Sequence, residues 1–218
     1  MSEDSCQDRI EFVTGKKVSR ETMEKLSAYK SLLIKWQEKI NLIGSGSLSH
    51  IWDRHICDSA QILQYIPKTI GNSAIYDVGS GAGFPGLVLS ILGVSQIKLI
   101  ESDARKCEFL REISRISESN VEVIRARMPD DAIKIPLPKA SILLARGVAP
   151  LPKLLDVVFP VLSCSTCCIL HKGEKAYEEI NRAKIDWEFN FEIKKSKTSV
   201  NGKIIILDEV QRHGEENR

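Results

Sequence analysis

No stretch of this chain carries eighteen consecutive apolar residues, and the opening Met1-Ser-Glu-Asp-Ser5 is too polar for a secretory leader. The expectation is a soluble, cytoplasmic protein with no membrane partner. Net charge is nearly absent: 31 Lys and Arg against 29 Asp and Glu leave +2, which argues neither for nor against a nucleic-acid partner. Six cysteines give no disulfide framework, since Cys6, Cys57 and Cys107 are scattered and a chain of 218 residues needs no staples. Cys164, Cys167 and Cys168 lack the second pair of ligands that a structural zinc site requires. Cys167 and Cys168 open an apolar run in which cysteine packs as a small hydrophobe, so no metal is expected. Repeats and low-complexity tracts are missing too. Ordinary contents of 43% hydrophobic and 28% charged residues then describe one elaborated globular domain.

What the chain does have is a glycine-rich turn. Residues 77–86 read Asp-Val-Gly-Ser-Gly-Ala-Gly-Phe-Pro-Gly, between a strand-like run (Ala74, Ile75, Tyr76) and an apolar segment (Leu87, Val88, Leu89, Ile91, Leu92). A strand, a glycine turn and a helix let a backbone approach a nucleotide-like cofactor closely. Asp77 sits at the strand end, where a carboxylate meets the ammonium of a bound amino acid. Glu101 ends the next apolar run (Ile97, Leu99, Ile100), where it accepts from both ribose hydroxyls. These two acids favour S-adenosylmethionine. The same residues leave a second reading open: Gly81-Ala-Gly83-Phe-Pro-Gly86 also fits the dinucleotide fingerprint, with Glu101 twenty residues beyond Gly81. A nicotinamide-dependent oxidoreductase therefore stands beside a methyltransferase at this point.

Ahead of the turn the chain reads as helical. Met23, Leu26, Tyr29, Leu33, Trp36, Ile40 and Ile43 recur at spacings of three and four, an amphipathic helix over 20–43 capped by Ser19. Residues 48–66 read as a second helix ending before Pro67, with Gly44 and Gly46 breaking the two apart. Residues 1–70 are thus expected as a helical extension packed on a core of residues 71–218. In that core, strands 73–78, 97–101, 121–125, 140–145 and 166–171 alternate with helices 85–92, 104–117, 150–162 and 174–184. The alternation implies a mostly parallel, doubly wound sheet. Strands 187–196 and 203–209 face each other across Ser199-Val-Asn-Gly202 as a terminal antiparallel hairpin. Because Rossmann-like methyltransferases close their alternating sheet with such a hairpin, the expected fold class is α/β, Rossmann-like, of the class I S-adenosylmethionine-dependent methyltransferase kind.

In such sheets ligands lie beyond the carboxyl ends of the strands. Asp77, Gly79, Glu101, Arg127, Arg146, His171 and Lys172 stand at those ends. Four of them are cationic or can become so, and a crevice of that kind suits a polyanion. The alternative role for Arg146 is a purely structural pairing with Glu101 or Asp77. His55 and Asp58 lie three apart on one helix face, spaced to pair with each other and fasten the helices to the sheet.

Taken together, these segments resemble the bacterial 16S ribosomal RNA guanine-N7 methyltransferases, the RsmG or GidB family. The resemblance rests on the 77–86 loop with its Phe84-Pro-Gly86 ending, on Lys35-Trp36 and Asn41-Leu42, and on Arg54-His55 with Asp58-Ser59. It continues through Leu99-Ile-Glu-Ser102, Arg105-Lys106, Phe109-Leu110, Ala145-Arg146 and Lys172-Gly173, in matching order from about residue 19 to 209. It implies S-adenosylmethionine around Asp77, Gly79, Gly81, Gly83 and Phe84, with Glu101 near the ribose. It places Met128 and Pro129 at the adenine and Arg146 beside the reactive end. RNA contacts are implied for Arg54, Arg127, Lys172 and Lys203, and Arg54, His55 and Asp58 gain RNA contact as a second reading. The implied partner is 16S rRNA, in the 30S subunit or an assembly intermediate, and the implied enzyme is monomeric.

Two departures stand out. The family's glutamate shortly after Arg127 is absent here, where the chain reads Arg127-Met-Pro-Asp130, and Lys203 stands where the family tends to have arginine. Lysine cannot reproduce arginine's bidentate grip on phosphate. Guanine N7 carries a free lone pair at neutral pH, so no residue is expected to act as a catalytic acid or base. A non-enzymatic ribosome-assembly factor on the same fold is a third reading, against which the intact Asp77, glycines, Glu101 and Arg146 count.

Overall fold

A computed structural model of the chain describes residues 3–67, 74–130 and 137–214. Strands β1 (Ile75–Val78), β2 (Ile97–Glu101), β3 (Val121–Arg125), β4 (Ile142–Arg146) and β5 (Cys167–Lys172) run parallel. β6 (Trp187–Lys195) and β7 (Lys203–Arg212) form an antiparallel hairpin, and β7 inserts beside β5 to give the order β3-β2-β1-β4-β5-β7-β6. A dinucleotide-binding sheet runs 3-2-1-4-5-6 without that inserted strand. The central strand β1 is buried along its whole length, as expected for a parallel strand covered on both faces. The start predicted at residue 73 and the boundary predicted between residues 70 and 71 lie outside the described residues.

Crossovers are made by α4 (Gly86–Ile91), α5 (Ala104–Ile116), α6 (Leu151–Val158) and α7 (Ala176–Ala183). The Asp103 side chain accepts from Lys106 N and starts α5. The helix predicted over 150–162 stops at Val158 and tightens into a 3-10 turn, Phe159–Val161, because Pro160 has no N–H with which to continue it.

The front end departs furthest from expectation. A first helix, α1 (Glu3–Thr14), precedes α2 (Arg20–Gln37), whose Ser19 Oγ accepts from Thr22 N as the sequence predicts. α2 ends before residue 43 because Gln37 turns the chain: its Oε1 accepts from Leu42 N and Ile43 N, and its Nε2 donates to Ile43 O. The predicted 48–66 helix is composite. It runs through a 3-10 stretch (Ser45–His50), a π-helical stretch (Trp52–Cys57), the single α turn α3 (Asp58–Ala60) and a second 3-10 stretch (Gln61–Tyr65). Such π-helical segments concentrate at functional sites.

Alternation along the strands sorts the core into two layers. On one face Ile75, Leu99 and Leu144 pack with Leu87, Phe109 and Leu110, and with Ile10, Leu26, Tyr29 and Leu33 of the front helices. On the other face Tyr76, Val78 and Leu143 pack with α6, α7 and Trp187. The front helices thus complete one face of the sheet, and Tyr29 comes within reach of the glycine turn. Among the described residues no helix is long and apolar enough to cross a membrane.

Candidate functional site

After β1 the chain turns through Gly79, Gly81 and Gly83, at φ +68°, +56° and +93°. Gly79 N and Ser80 N donate to Ile100 O at 2.9 and 3.2 Å, and Gly83 N donates to Ser80 O at 2.7 Å. Tyr29 Oη, reaching over from α2, donates to Ala82 O. Much of the glycine pattern answers to the protein's own packing. A Cβ on Gly83 would lie 2.8 Å from Tyr29 Oη, one on Gly79 2.7 Å from Val148 Cγ2, and one on Gly86 2.7 Å from Asp77 Oδ2. Gly81 is different. The nearest atom to its Cβ position is Gly79 O at 3.8 Å, so its outer face is open and a ligand can approach its backbone.

Two carboxylates anchor this turn. Glu101, at the end of β2, accepts from Gly81 N through Oε2 (2.9 Å) and from Asp103 N through Oε1 (2.8 Å). Each oxygen keeps a lone pair for a hydroxyl donor. Asp77 is wholly buried, and its Oδ2 accepts from Gly86 N at 2.9 Å, tying β1 to α4. Burial pushes its carboxyl up to about 7, against the lowering influence of the Gly86 hydrogen bond and of Arg146. Its Oδ1 has no partner. An open glycine backbone, a diol-accepting carboxylate and a buried acid with an unfilled acceptor fit the donor groups of S-adenosylmethionine.

Next along the sheet stands Arg146, level with His171 where β4 pairs with β5. Its Nη2 donates to Arg54 O (2.7 Å) and His55 Nδ1 (2.9 Å), its Nε lies 3.5 Å from Asp58 Oδ2, and its guanidinium carbon is 5.6 Å from the Phe84 ring centre. The alternative pairing with Asp77 or Glu101 is not what forms; Asp58 is the partner. Asp58 Oδ1 accepts from Thr198 Oγ1 (2.6 Å) and Gln61 Nε2 (2.8 Å), and its carbonyl accepts from His171 Nε2 (2.8 Å). His55 and Asp58 do not pair with each other as their spacing predicts, since both His55 ring nitrogens are spent on Arg146 and Ser47; each fastens the composite helix to the sheet by reaching across to Arg146. His55 Nε2 donates to Ser47 Oγ, and burial followed by the Arg146 charge drives its pKa down to about 4, leaving a neutral ring.

Beyond the carboxyl ends of β4 and β5 and the start of β7 lies a cavity of about 650 Å³. Arg54, Asp58, Arg146, His171 and Lys203 are on its walls. Among the described residues, three buried side-chain polar atoms lack a hydrogen-bond partner: Asp77 Oδ1, Arg146 Nη1 and His171 Nδ1. They stand on the neighbouring strands β1, β4 and β5. Orphaned buried groups are uncommon in folded proteins, and three in a row across one end of a sheet call for a ligand.

The sequence-predicted site residues divide. Gly79, Gly81, Gly83, Phe84, Asp77, Glu101 and Arg146 come together around the turn. Phe84 is buried, with Tyr29 stacked on it at 5.3 Å and His55 at 5.0 Å, so its ring is occupied by the protein itself. Exposed Arg54 and half-buried Lys203 line the cavity. Lys172 lines it as well, but its ammonium is engaged by Ala149 O (2.6 Å) and Glu179 (2.8 Å), and Glu179 holds Leu151 N at the start of α6. Arg127 is exposed beyond β3, away from the cavity, with Met128 and Pro129 half-buried beside it. Tyr29, Gln61, Val148 and Thr198 carry structural weight that sequence reasoning missed. Only Tyr29 left a trace, as part of the apolar stripe of α2.

Comparison with known proteins agrees with this geometry. The family model of rRNA small subunit methyltransferase G (GidB) matches residues 22–209. The ribosomal RNA small subunit methyltransferase G of Paramagnetospirillum magneticum is 42% identical over 202 residues, covering 93% of this chain and 96% of that one. Its counterpart in Rickettsia akari is 41% identical, covering 89% and 98%. Among solved structures, the O-methyltransferase from Bacillus cereus in complex with SAH superposes with a TM-score of 0.55 at 11% identity, covering 95% of this chain and 100% of that one. A mutant of MtNAS in complex with S-adenosylmethionine gives 0.58 at 12% identity, covering 85% and 74%. At that identity the structures speak to fold alone, and the fold is the class I methyltransferase one. With the antiparallel β7 inside the sheet, the dinucleotide reading of the glycine turn falls away. The chain belongs to the rRNA small subunit methyltransferase G family.

Proposed function

We propose that this protein transfers a methyl group from S-adenosylmethionine to N7 of one guanine in 16S rRNA, acting as a monomer in the cytoplasm on the 30S subunit or an assembly intermediate. The observation that carries the reading is adjacency. The open backbone of Gly81 and the Glu101 carboxylate stand at the ends of β1 and β2, and the Arg146 cavity opens beside them at β4 and β5. The volume, about 650 Å³, is in the range of small-molecule sites.

Gly79, Gly81 and Gly83 shape the cofactor cradle, Glu101 accepts from the ribose, and Asp77 Oδ1 takes the ammonium. Met128 and Pro129 border the adenine. Bound S-adenosylmethionine supplies a sulfonium-activated methyl group. The protein's own task is placement, and positioning of this kind is worth ~7–11 kcal/mol. No base is required, because N7 has no proton to lose. Both imidazoles nearest the cavity suit a site without one: His55 and His171 are held neutral by burial and already spend a nitrogen on structure. Arg54 and Lys203 rim the cavity as phosphate contacts, and Arg127 offers a separate one beyond β3. Lys172 acts by holding the wall.

The test is methyl transfer from labelled S-adenosylmethionine to small subunits purified from cells lacking the protein, followed by chemical cleavage at N7-methylguanine. One modified guanine is expected. Label on any other base atom, or none, overturns the reading.

A further inference from the structure

The polar atoms around the cavity are arranged in an order that matches one edge of one base. Starting from the glycine turn at the end of β1, the next strand presents Arg146 and the one after it His171, with Asp58 of the composite helix between them. Arg146 has spent Nη2 on Arg54 O and His55, and its Nη1 is an unused donor. Asp58 has spent Oδ1 on Thr198 and Gln61. Its Oδ2 has only the long approaches of Arg146 Nε at 3.5 Å and His171 Nε2 at 3.7 Å, and so keeps acceptor capacity in a residue that lines the cavity. His171 gives its Nε2 proton to the Asp58 carbonyl, which leaves its Nδ1 as an unfilled acceptor in a side chain 7% exposed. Moving away from the cofactor cradle, the residues that line the cavity carry a buried, unpartnered donor and then acceptors.

Guanine read from N7 along its edge presents an acceptor at O6 and donors at N1–H and the 2-amino group. A base whose N7 faces the methyl donor therefore sets O6 against the first group on that wall and its two donors against the next. We propose that Arg146 and Asp58 select guanine: Arg146 Nη1 donates to O6, and Asp58 Oδ2 accepts from N1–H and the 2-amino group. Adenine would place an amino donor against Arg146 and an acceptor against Asp58, two repulsive contacts that reject it. The assignment rests on the proposed methyl transfer. It adds two base-reading residues to a site where the stacked Phe84 ring offers no free face.

The test uses small subunits reconstituted on RNA with either guanine or inosine at the position the wild-type protein methylates. Inosine keeps N7, O6 and N1–H and lacks only the 2-amino group. Transfer rate and equilibrium affinity in the presence of S-adenosylhomocysteine are both measured, for wild type and Asp58→Asn. The wild type is expected to favour guanine by about 5- to 150-fold, the range of one well-made base contact. Asp58→Asn is expected to bring that ratio towards one. A merely structural Asp58 would lower both substrates together and leave the ratio intact, which overturns the proposal. Should Asp58→Asn not fold, equal use of guanine and inosine by the wild type overturns it alone. No transfer to either substrate removes the methyltransferase reading, and this one with it.

Discussion

Gly81 and Gly83 lie two residues apart in the same turn, and alanine at each is expected to fail in a different way. At Gly81 the backbone sits at φ +56° and a Cβ meets nothing closer than 3.8 Å. The folded protein then bears only the left-handed penalty, ~1–2 kcal/mol, or a fall of ~2–8 °C in Tm for a chain of this size. The added methyl projects into the space kept for the cofactor, so S-adenosylmethionine affinity should drop at least about tenfold, ~1.4 kcal/mol. At Gly83 φ is +93°, and the Cβ falls 2.8 Å from Tyr29 Oη and 3.0 Å from Leu87 Cβ and Leu110 Cδ2. Strain and overpacking add to ~2–5 kcal/mol, or ~4–20 °C. Thermal unfolding followed by circular dichroism, with calorimetric titration of S-adenosylmethionine, separates the two. If Gly81→Ala binds the cofactor as tightly as wild type, or melts as low as Gly83→Ala, Gly81 does not border the ligand.

Opposed pH dependences follow from Asp77 and His55. Asp77, raised from 3.8 to about 7, contributes stability that is complete below pH 3.8 and is lost as pH rises through 7. His55, lowered from 6.5 to about 4, contributes stability that is complete above pH 6.5 and is lost as pH falls through 4. Asp77→Asn should therefore steepen the rise of Tm from pH 4 to 7, and His55→Asn should flatten or reverse it. Unchanged slopes in both variants would contradict these environments. Tyr29→Phe removes the hydroxyl that holds Ala82 O, so a loss of ~0.5–1.5 kcal/mol in unfolding free energy is expected, with weaker cofactor binding in calorimetry. Arg54→Ala and Lys203→Ala should each lower the slope of log affinity for small subunits against log salt by about one, with S-adenosylmethionine affinity unchanged. Salt slopes equal to wild type would remove both from the RNA surface.

The parallel sheet and its terminal hairpin were legible because each depends on local pattern. Apolar runs bounded by Gly and Asp mark the strands, Ser19 and Asp103 cap their helices, and Ser199-Val-Asn-Gly202 marks the turn. α1 carries a signal of the same kind, Cys6, Ile10 and Val13 at spacings of four and three and all buried, but three apolar positions among polar neighbours make a faint one. The composite helix was not legible. Its residues keep an apolar periodicity near that of an α-helix, and the π-helical stretch that aims His55 and Asp58 at Arg146 arises from long-range pairing. The same limit applies to the site. Asp77, Glu101 and the glycines announce themselves by position after a strand, whereas Asp58–Thr198 joins residues 140 apart. Lys172 read as a free cation at a strand end because the sequence gives no sign of Glu179 folding back onto it.

The central claim, a methyl-donor site built on the Gly81 turn and Glu101, is tested most directly by calorimetric titration. Purified protein is titrated with S-adenosylmethionine and, in parallel, with reduced nicotinamide cofactor, using Gly81→Val as the control. Saturable binding of S-adenosylmethionine at micromolar concentrations, abolished in Gly81→Val and absent with the nicotinamide, is the predicted result. Binding of the nicotinamide cofactor, or of neither compound by a folded wild-type protein, would contradict it.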